Sequence, residues 1–104
     1  MKISEIKVED IANYLRITEL DESLKKDLST FLKIAINYIE NYTGIPKKNE
    51  QNINKENLDK YEDFAIVVYI LCQDMYDNRS MYVDKNNINN TVKTILDMHT
   101  RNNL

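Results

Sequence analysis

The longest apolar run in the chain is nine residues, 64–72 (FAIVVYILC), inside the stretch 61–79. The run is rich in residues that favour strands, and its periodicity alone does not separate a buried strand from a buried helix. Apolar residues nevertheless recur at steps of three and four through the run and on both sides of it, which is the spacing of one helix face. They are Leu58, Tyr61, Ala65, Val68, Cys72 and Met75. The stretch therefore predicts a long central helix, apolar on nearly all sides and surrounded by other elements.

Acidic residues predict where this central helix begins. Asp59, followed three residues later by Glu62, is a candidate N-cap pair. Glu62 and Asp63 then place negative charge on the first turn, where the helix dipole favours it.

Two amphipathic patterns precede the central helix. Residues 8–17 (VEDIANYLRI) predict a short helix, and residues 24–42 predict a longer one that Asp21 or Ser23 can cap. Gly44 is the single glycine of the chain and follows the longer pattern. It is predicted to be the helix C-cap, in the left-handed conformation that glycine adopts without steric cost. The apolar face of the longer helix consists of Leu24, Leu28, Phe31, Leu32, Ala35, Tyr38, Ile39 and Tyr42.

Polar segments separate these helices. Residues 47–57 (KKNEQNINKEN) form a short, flexible polar linker, and residues 79–87 form a loop that can hold a short extended piece near Met81 and Val83. Asn87 is predicted to cap a last helix that carries Ile88 to His99. The tail, residues 100–104, is predicted to fray.

Composition limits the fold to one small domain. With 104 residues the chain can bury one modest core, and one glycine and one proline are too few for the many turns of an all-β protein. We therefore predict an all-α fold: a small, single-domain bundle of about four helices over residues 1–104.

Charge and hydropathy exclude several classes of protein. The net charge is −3 and the pI is near 5.1, with no basic stripe of the kind that nucleic-acid binding needs. A small DNA-binding regulator would need a tight turn before a basic recognition helix, whereas the linker after Gly44 is long and the next helix is apolar. Nine apolar residues are too few to cross a bilayer, and residues 1–9 lack the apolar segment of a signal peptide. A soluble protein without a membrane partner is expected.

Catalytic chemistry has no motif in this chain. His99 is the only histidine and Cys72 the only cysteine, so neither a metal site nor an internal disulfide is expected. A single glycine excludes a phosphate-binding loop. Charge at helix ends and on a solvated face explains the carboxylate pairs 62/63 and 74/77 better than acid–base catalysis does. We expect no enzyme and no cofactor.

The order of the segments resembles a known family. DIANYLRI (residues 10–17) leads to a long helix ending in YIENYTG (38–44), and a polar linker leads to an apolar helix ending in MYDNRS (75–80). Over nearly the whole chain this order resembles the head–tail connector (adaptor) proteins of tailed bacteriophages and prophages. The resemblance implies a structural virion protein, made in the host cytoplasm. It implies a ring of about a dozen copies between the portal protein and the tail-side proteins, with DNA passing through unbound. Family members are often monomeric before they meet the portal.

The corner at the end of the central helix is the predicted interface. Tyr76 and Tyr82 bracket Asp77 and Arg79, and aromatic residues with charged anchors are typical of protein interfaces. Together with linker residues 47–57, these four residues are predicted to contact neighbouring subunits and the portal. Arg79 has a second interpretation, in which it satisfies the last carbonyl groups of the helix. The alternative function is a general helical interaction module, such as an antitoxin or a subunit of another complex.

Overall fold

The fold, described over residues 1–100 by a computed structural model, consists of α helices and two short 3₁₀ turns. The helices are α1 (Val8–Tyr14), α2 (Glu22–Thr43), α3 (Phe64–Asn78) and α4 (Asn90–His99), and the 3₁₀ turns cover Ile3–Glu5 and Leu58–Lys60. No strand occurs among the described residues. The predicted all-α bundle of four helices is confirmed.

One apolar core joins the four helices. The α2 and α3 helices share the largest contact, α4 packs against both of them, and α1 closes the other side of the pair. Apolar faces with three- and four-residue spacing meet in this core, which is why the helical pattern of the sequence is so regular. Its largest fully buried side chains are Phe64, Ile11, Leu28, Ile39, Ile45, Leu58, Leu71 and Met75.

The α3 helix is not the long, fully surrounded helix that the sequence predicts. It has 15 residues and begins at Phe64, not at residue 61, whereas α2 has 22 residues. One broad face of α3 is buried, but Ile66 is 51% exposed. The apolar run exceeds what this small core can cover, because too few elements surround α3 to bury its whole circumference.

The predicted N-cap pair was also wrong. Asp59 lies in the second 3₁₀ turn, where its carboxylate accepts the backbone N–H of Ser4 at 3.0 Å and also the Ser4 hydroxyl. Lys48 Nζ lies 3.9 Å from the same carboxylate. A buried carboxylate must be hydrogen-bonded. Here its partners are Ser4 and Lys48, and not the N–H groups at the start of a helix. Glu62 and Asp63 precede α3 and therefore do not belong to its first turn.

Three helices end in the left-handed conformation. Gly44 has φ 77° and its N–H donates to the Glu40 carbonyl at 2.9 Å. Arg16 and Arg79 have φ 61° and 52° and close α1 and α3. In α3 the N–H of Ser80 donates to the Met75 carbonyl, and that of Arg79 to the Tyr76 carbonyl, which is a Schellman motif. The early turn at Arg16 ends α1 at Tyr14, three residues before the predicted end.

The polar linker has its own hydrogen-bonded structure. The Asn52 side-chain amide donates to the Lys47 carbonyl at 2.9 Å, and that of Asn57 donates to the Asn52 carbonyl at 3.0 Å. Asn49 accepts the N–H of Asn52 at 3.0 Å. Asparagine side chains commonly fold the backbone on itself in this way, so residues 47–57 form a hydrogen-bonded connection.

The last helix begins later than predicted. Asn89, not Asn87, caps α4 by accepting the N–H groups of Thr91 and Val92. Asn87 instead bonds the Asp84 carboxylate at 2.9 Å, within the preceding loop. That loop holds no strand in the described chain. Thr100 is the C-cap of α4, and the rest of the tail that was predicted to fray, residues 101–104, lies outside the described residues.

Candidate interaction surface

Three of the four predicted interface residues line one groove. Tyr76, Asp77 and Arg79 face the N-terminal half of α2 across a space of about 450 Å³, which we call the α2–α3 groove. The remaining lining residues are Leu24, Asp27, Phe31 and Met81. Tyr82 lies outside this groove, on the far side of Met81.

The end of α3 positions this surface. Because Arg79 takes the left-handed conformation, the chain turns away from the helix axis immediately before Met81 and Tyr82. Tyr82 is 63% exposed, Met81 49% and Tyr76 37%. Three large side chains with exposed apolar surface therefore lie around this helix end.

Charges of both signs lie at the α2–α3 groove. Asp77 accepts two contacts from the Gln73 amide, at 2.9 and 3.0 Å. Nearby, burial and then the negative charge of Asp77 raise the pKa of Asp74. Arg79 makes no ion pair with any residue in the described part of the chain. Its planar guanidinium can therefore receive a carboxylate from outside.

A second groove lies on the other side of Met81. The C-terminal half of α2, the loop before α4 and the first turn of α4 enclose about 620 Å³, which we call the α2–α4 groove. Residues from α2 lining it are Ile34, Asn37, Tyr38, Asn41 and Tyr42, and those from the loop and α4 are Met81, Tyr82, Val83, Lys85, Ile88 and Lys93. Sequence reasoning missed this groove. The signal was present, because Ile34 lies off the core face assigned to α2.

Two tyrosines of α2 belong to the wall of the α2–α4 groove. The rings of Tyr38 and Tyr42 lie 5.8 Å apart, and the Tyr42 hydroxyl donates to Asp97 of α4. This hydrogen bond, followed by burial, raises the pKa of Tyr42 to about 12. Burial, with a smaller effect of Asp97, also raises the pKa of Tyr38. The wall is therefore uncharged and tied to α4.

The predicted linker lines neither groove, but Lys47 at its start contacts Asn37, which lines the α2–α4 groove. Lys47 donates its N–H to Glu40 at 3.0 Å, and its ammonium group contacts Glu40 and Asn37 at the C-terminal end of α2. Residues 47–57 do not line either groove as described above. The structure thus separates the linker from Tyr76, Asp77 and Arg79.

The remaining reactive side chains are engaged or buried. Cys72 is fully buried, and burial raises the pKa of its thiol to about 12. His99 Nε2 lies 2.9 Å from the Asp63 carboxylate. Among residues 1–100, no three histidine, cysteine, aspartate or glutamate side chains form a group that could hold a metal ion. None of the helices described is long and apolar enough to span a membrane.

Comparison of the chain with protein-family models, with curated proteins and with solved structures gave no match.

Proposed function

We propose that the protein is a head–tail connector of a tailed bacteriophage or prophage. In this role it has no catalytic activity and binds no cofactor. Copies of the chain form a ring on the portal protein, tail-side proteins bind the other face of the ring, and DNA passes through the hole. The order of helices and the residues at the end of α3, which resemble that family, support this function.

The exposed corner at the end of α3 carries the proposal. Tyr76, Asp77, Arg79 and Tyr82 combine aromatic surface with both signs of charge, and Met81 joins them at the centre. Aromatic residues and arginine contribute most of the binding energy in protein interfaces. A closed ring needs a head-to-tail contact between different surfaces of neighbouring copies, and such a corner supplies one of the two surfaces.

The overall charge suits a channel for DNA. With a net charge of −3 the chain has no excess of basic residues to hold phosphate groups. The protein would be located at the head–tail junction of the virion and, before assembly, in the host cytoplasm. A monomeric free protein is compatible with this function, because the portal can template the ring.

Binding to the portal protein from the same genome tests the proposal. We expect Arg79→Ala and Tyr82→Ala each to weaken binding about tenfold, the loss typical of a residue at the centre of an interface. Arg16→Ala is the matched control, because Arg16 is also exposed and also closes a helix at positive φ. Tyr14→Ala is the control for Tyr82, since Tyr14 is 46% exposed and lines neither groove.

The possible results test the interface residues and the connector function separately. If folded Arg79→Ala and Tyr82→Ala bind as tightly as the wild type, the interface lies elsewhere on the chain. If the folded wild-type chain does not bind an intact portal, the connector function is wrong. A general helical interaction module, such as an antitoxin or a subunit of a different complex, is then the better account.

A further inference from the structure

The α2–α4 groove has the shape of a site for a helical segment. Ile34, Tyr38 and Tyr42 follow one another at four-residue spacing along α2 and form one wall, about 12 Å long at 1.5 Å per residue. Val83 and Ile88 form the opposite wall. The walls are half-buried, so they are positioned by the core but still reachable from solvent.

The rim of this groove is basic. Lys85 and Lys93 are both exposed, and neither forms an ion pair with any residue between 1 and 100. The described residues that line this groove include no aspartate or glutamate. Two unneutralised ammonium groups beside an apolar floor are a notable local excess in a chain of net charge −3. By charge complementarity, the groove suits an acidic ligand.

The open edge of the groove carries side chains that can fit different apolar surfaces. Met81 and Tyr82, which are 49% and 63% exposed, stand at its open edge. Methionine adjusts to irregular apolar surfaces, and tyrosine adds rigid contact area with a polar tip. Asn37 and Asn41 supply polar groups along the α2 wall, so the groove combines an apolar centre with a polar rim.

We propose that the α2–α4 groove binds an amphipathic helix of a partner protein, about two turns long, with acidic residues beside its apolar face. The apolar face, spaced i, i+3, i+4 and i+7, packs against Ile34, Tyr38 and Ile88. The carboxylates meet Lys85 and Lys93. The neighbouring α2–α3 groove suits this ligand less well, because its lining contains two carboxylates, Asp27 and Asp77, against the single cation Arg79. This site shares Met81 and Tyr82 with the proposed connector interface, but it does not depend on that function.

Selection from a displayed library of random 14-residue peptides, a length on the order of four helical turns, tests the site. The full chain is the target, and the variant with Lys85→Glu and Lys93→Glu is the counter-target. Binding of the selected peptides is then measured by titration, and the contacted residues are mapped by NMR. The matched control carries Lys26→Glu and Lys33→Glu, the same charge change at exposed positions of α2 that line neither groove.

We expect the selected peptides to contain acidic residues beside helically spaced apolar residues. Their affinity should fall about tenfold or more in the Lys85/Lys93 variant and change less than about twofold in the control, because charge reversal replaces attraction by repulsion. NMR shifts should centre on Ile34, Val83 and Ile88.

Three results would overturn the proposal. One is a failure to enrich any peptide, and another is enrichment of peptides that bind the folded Lys85/Lys93 variant equally well. The third is self-association of the wild-type chain in sedimentation that is lost in the Lys85/Lys93 variant. That result would assign the groove to a second copy of this chain and not to a partner protein.

Discussion

His99 Nε2 lies 2.9 Å from a carboxylate oxygen of Asp63, 36 positions earlier in the chain. The contact joins the last residue of α4 to the residue just before α3. The imidazole also packs against the rings of Tyr61 and Phe64, at centroid distances of 4.6 and 5.1 Å. One side chain thereby connects the end of the last helix to the start of the most apolar one.

Removing this contact should loosen α4. We expect His99→Ala to lower the free energy of unfolding by about 2 kcal/mol, because both a charge-assisted hydrogen bond and aromatic packing are lost. Asp63→Asn should cost about 1 kcal/mol. A double-mutant cycle in urea should give a coupling energy of about 1 kcal/mol. A coupling near zero would show that the two side chains stabilise the protein independently.

The two left-handed helix ends of α2 and α3 should respond in opposite directions. Gly44→Ala should destabilise the protein by about 1 kcal/mol, because alanine resists positive φ. Arg79→Gly should stabilise it by about 0.5–1 kcal/mol, because glycine relieves the same cost at φ 52°. Urea denaturation measures both changes.

Arg79→Gly also separates stability from binding. This variant should be more stable than the wild type yet bind the portal protein less tightly, because the guanidinium has left the α2–α3 groove. A loss of stability would instead mean that the Arg79 side chain itself holds the end of α3.

Asp59 should contribute strongly to stability although it caps no helix. Its side chain is 6% exposed and accepts both the N–H and the hydroxyl of Ser4, which ties the N-terminal segment to the turn before α3. Asp59→Ala should cost about 3 kcal/mol, because it removes both hydrogen bonds that the buried carboxylate accepts from Ser4. Ser4→Ala keeps the backbone bond and should cost about 1 kcal/mol. Equal losses in the two variants, measured by chemical denaturation, would contradict this account.

Alkaline stability should depend on Tyr42. Its hydrogen bond to Asp97, followed by burial, raises the Tyr42 pKa from 10.0 to about 12 in the folded protein. Between these values the folded state holds a proton that the unfolded state releases. The resulting stabilisation is complete below pH 10 and disappears as the pH rises through 12.

NMR titration of the tyrosine rings measures this effect directly. Asp97→Asn should lower the Tyr42 pKa, because the charged acceptor that favours the neutral hydroxyl is removed. Tyr42→Phe has no phenol hydroxyl to ionise. The part of the alkaline loss of stability that is due to Tyr42 should therefore be absent from this variant. An unchanged Tyr42 pKa in Asp97→Asn would show that burial is the dominant cause.

Helical spacing in the sequence was sufficient to predict the all-α fold and the four helices. It failed where tertiary contacts decide local structure. Asp59 has the sequence context of a helix cap, but Ser4, 55 positions away, determines where its carboxylate lies. Such a contact leaves no local signal. Ile66 is exposed for a related reason, because burial depends on how many elements surround a helix and not on its own hydropathy.

Helix ends and grooves were likewise predicted only in part from the local sequence. Arginine at positive φ ends α1 and α3, although only glycine or asparagine would predict such an end. Tyr76, Asp77 and Arg79 line one groove since they are close in sequence at one helix end. The α2–α4 groove combines α2 with residues about 45 positions later in the chain, a juxtaposition set by helix packing. The interface role of these residues stays a prediction.

Electron microscopy with mass determination tests the central claim most directly. The purified chain is mixed with the portal protein encoded in the same genome, and the particles are compared with portal alone. The connector function predicts a portal ring extended by an additional annulus of this chain, with a mass that gives a whole number of copies. An intact portal ring with no added density or mass, beside a chain that circular dichroism shows to be folded and helical, would contradict it.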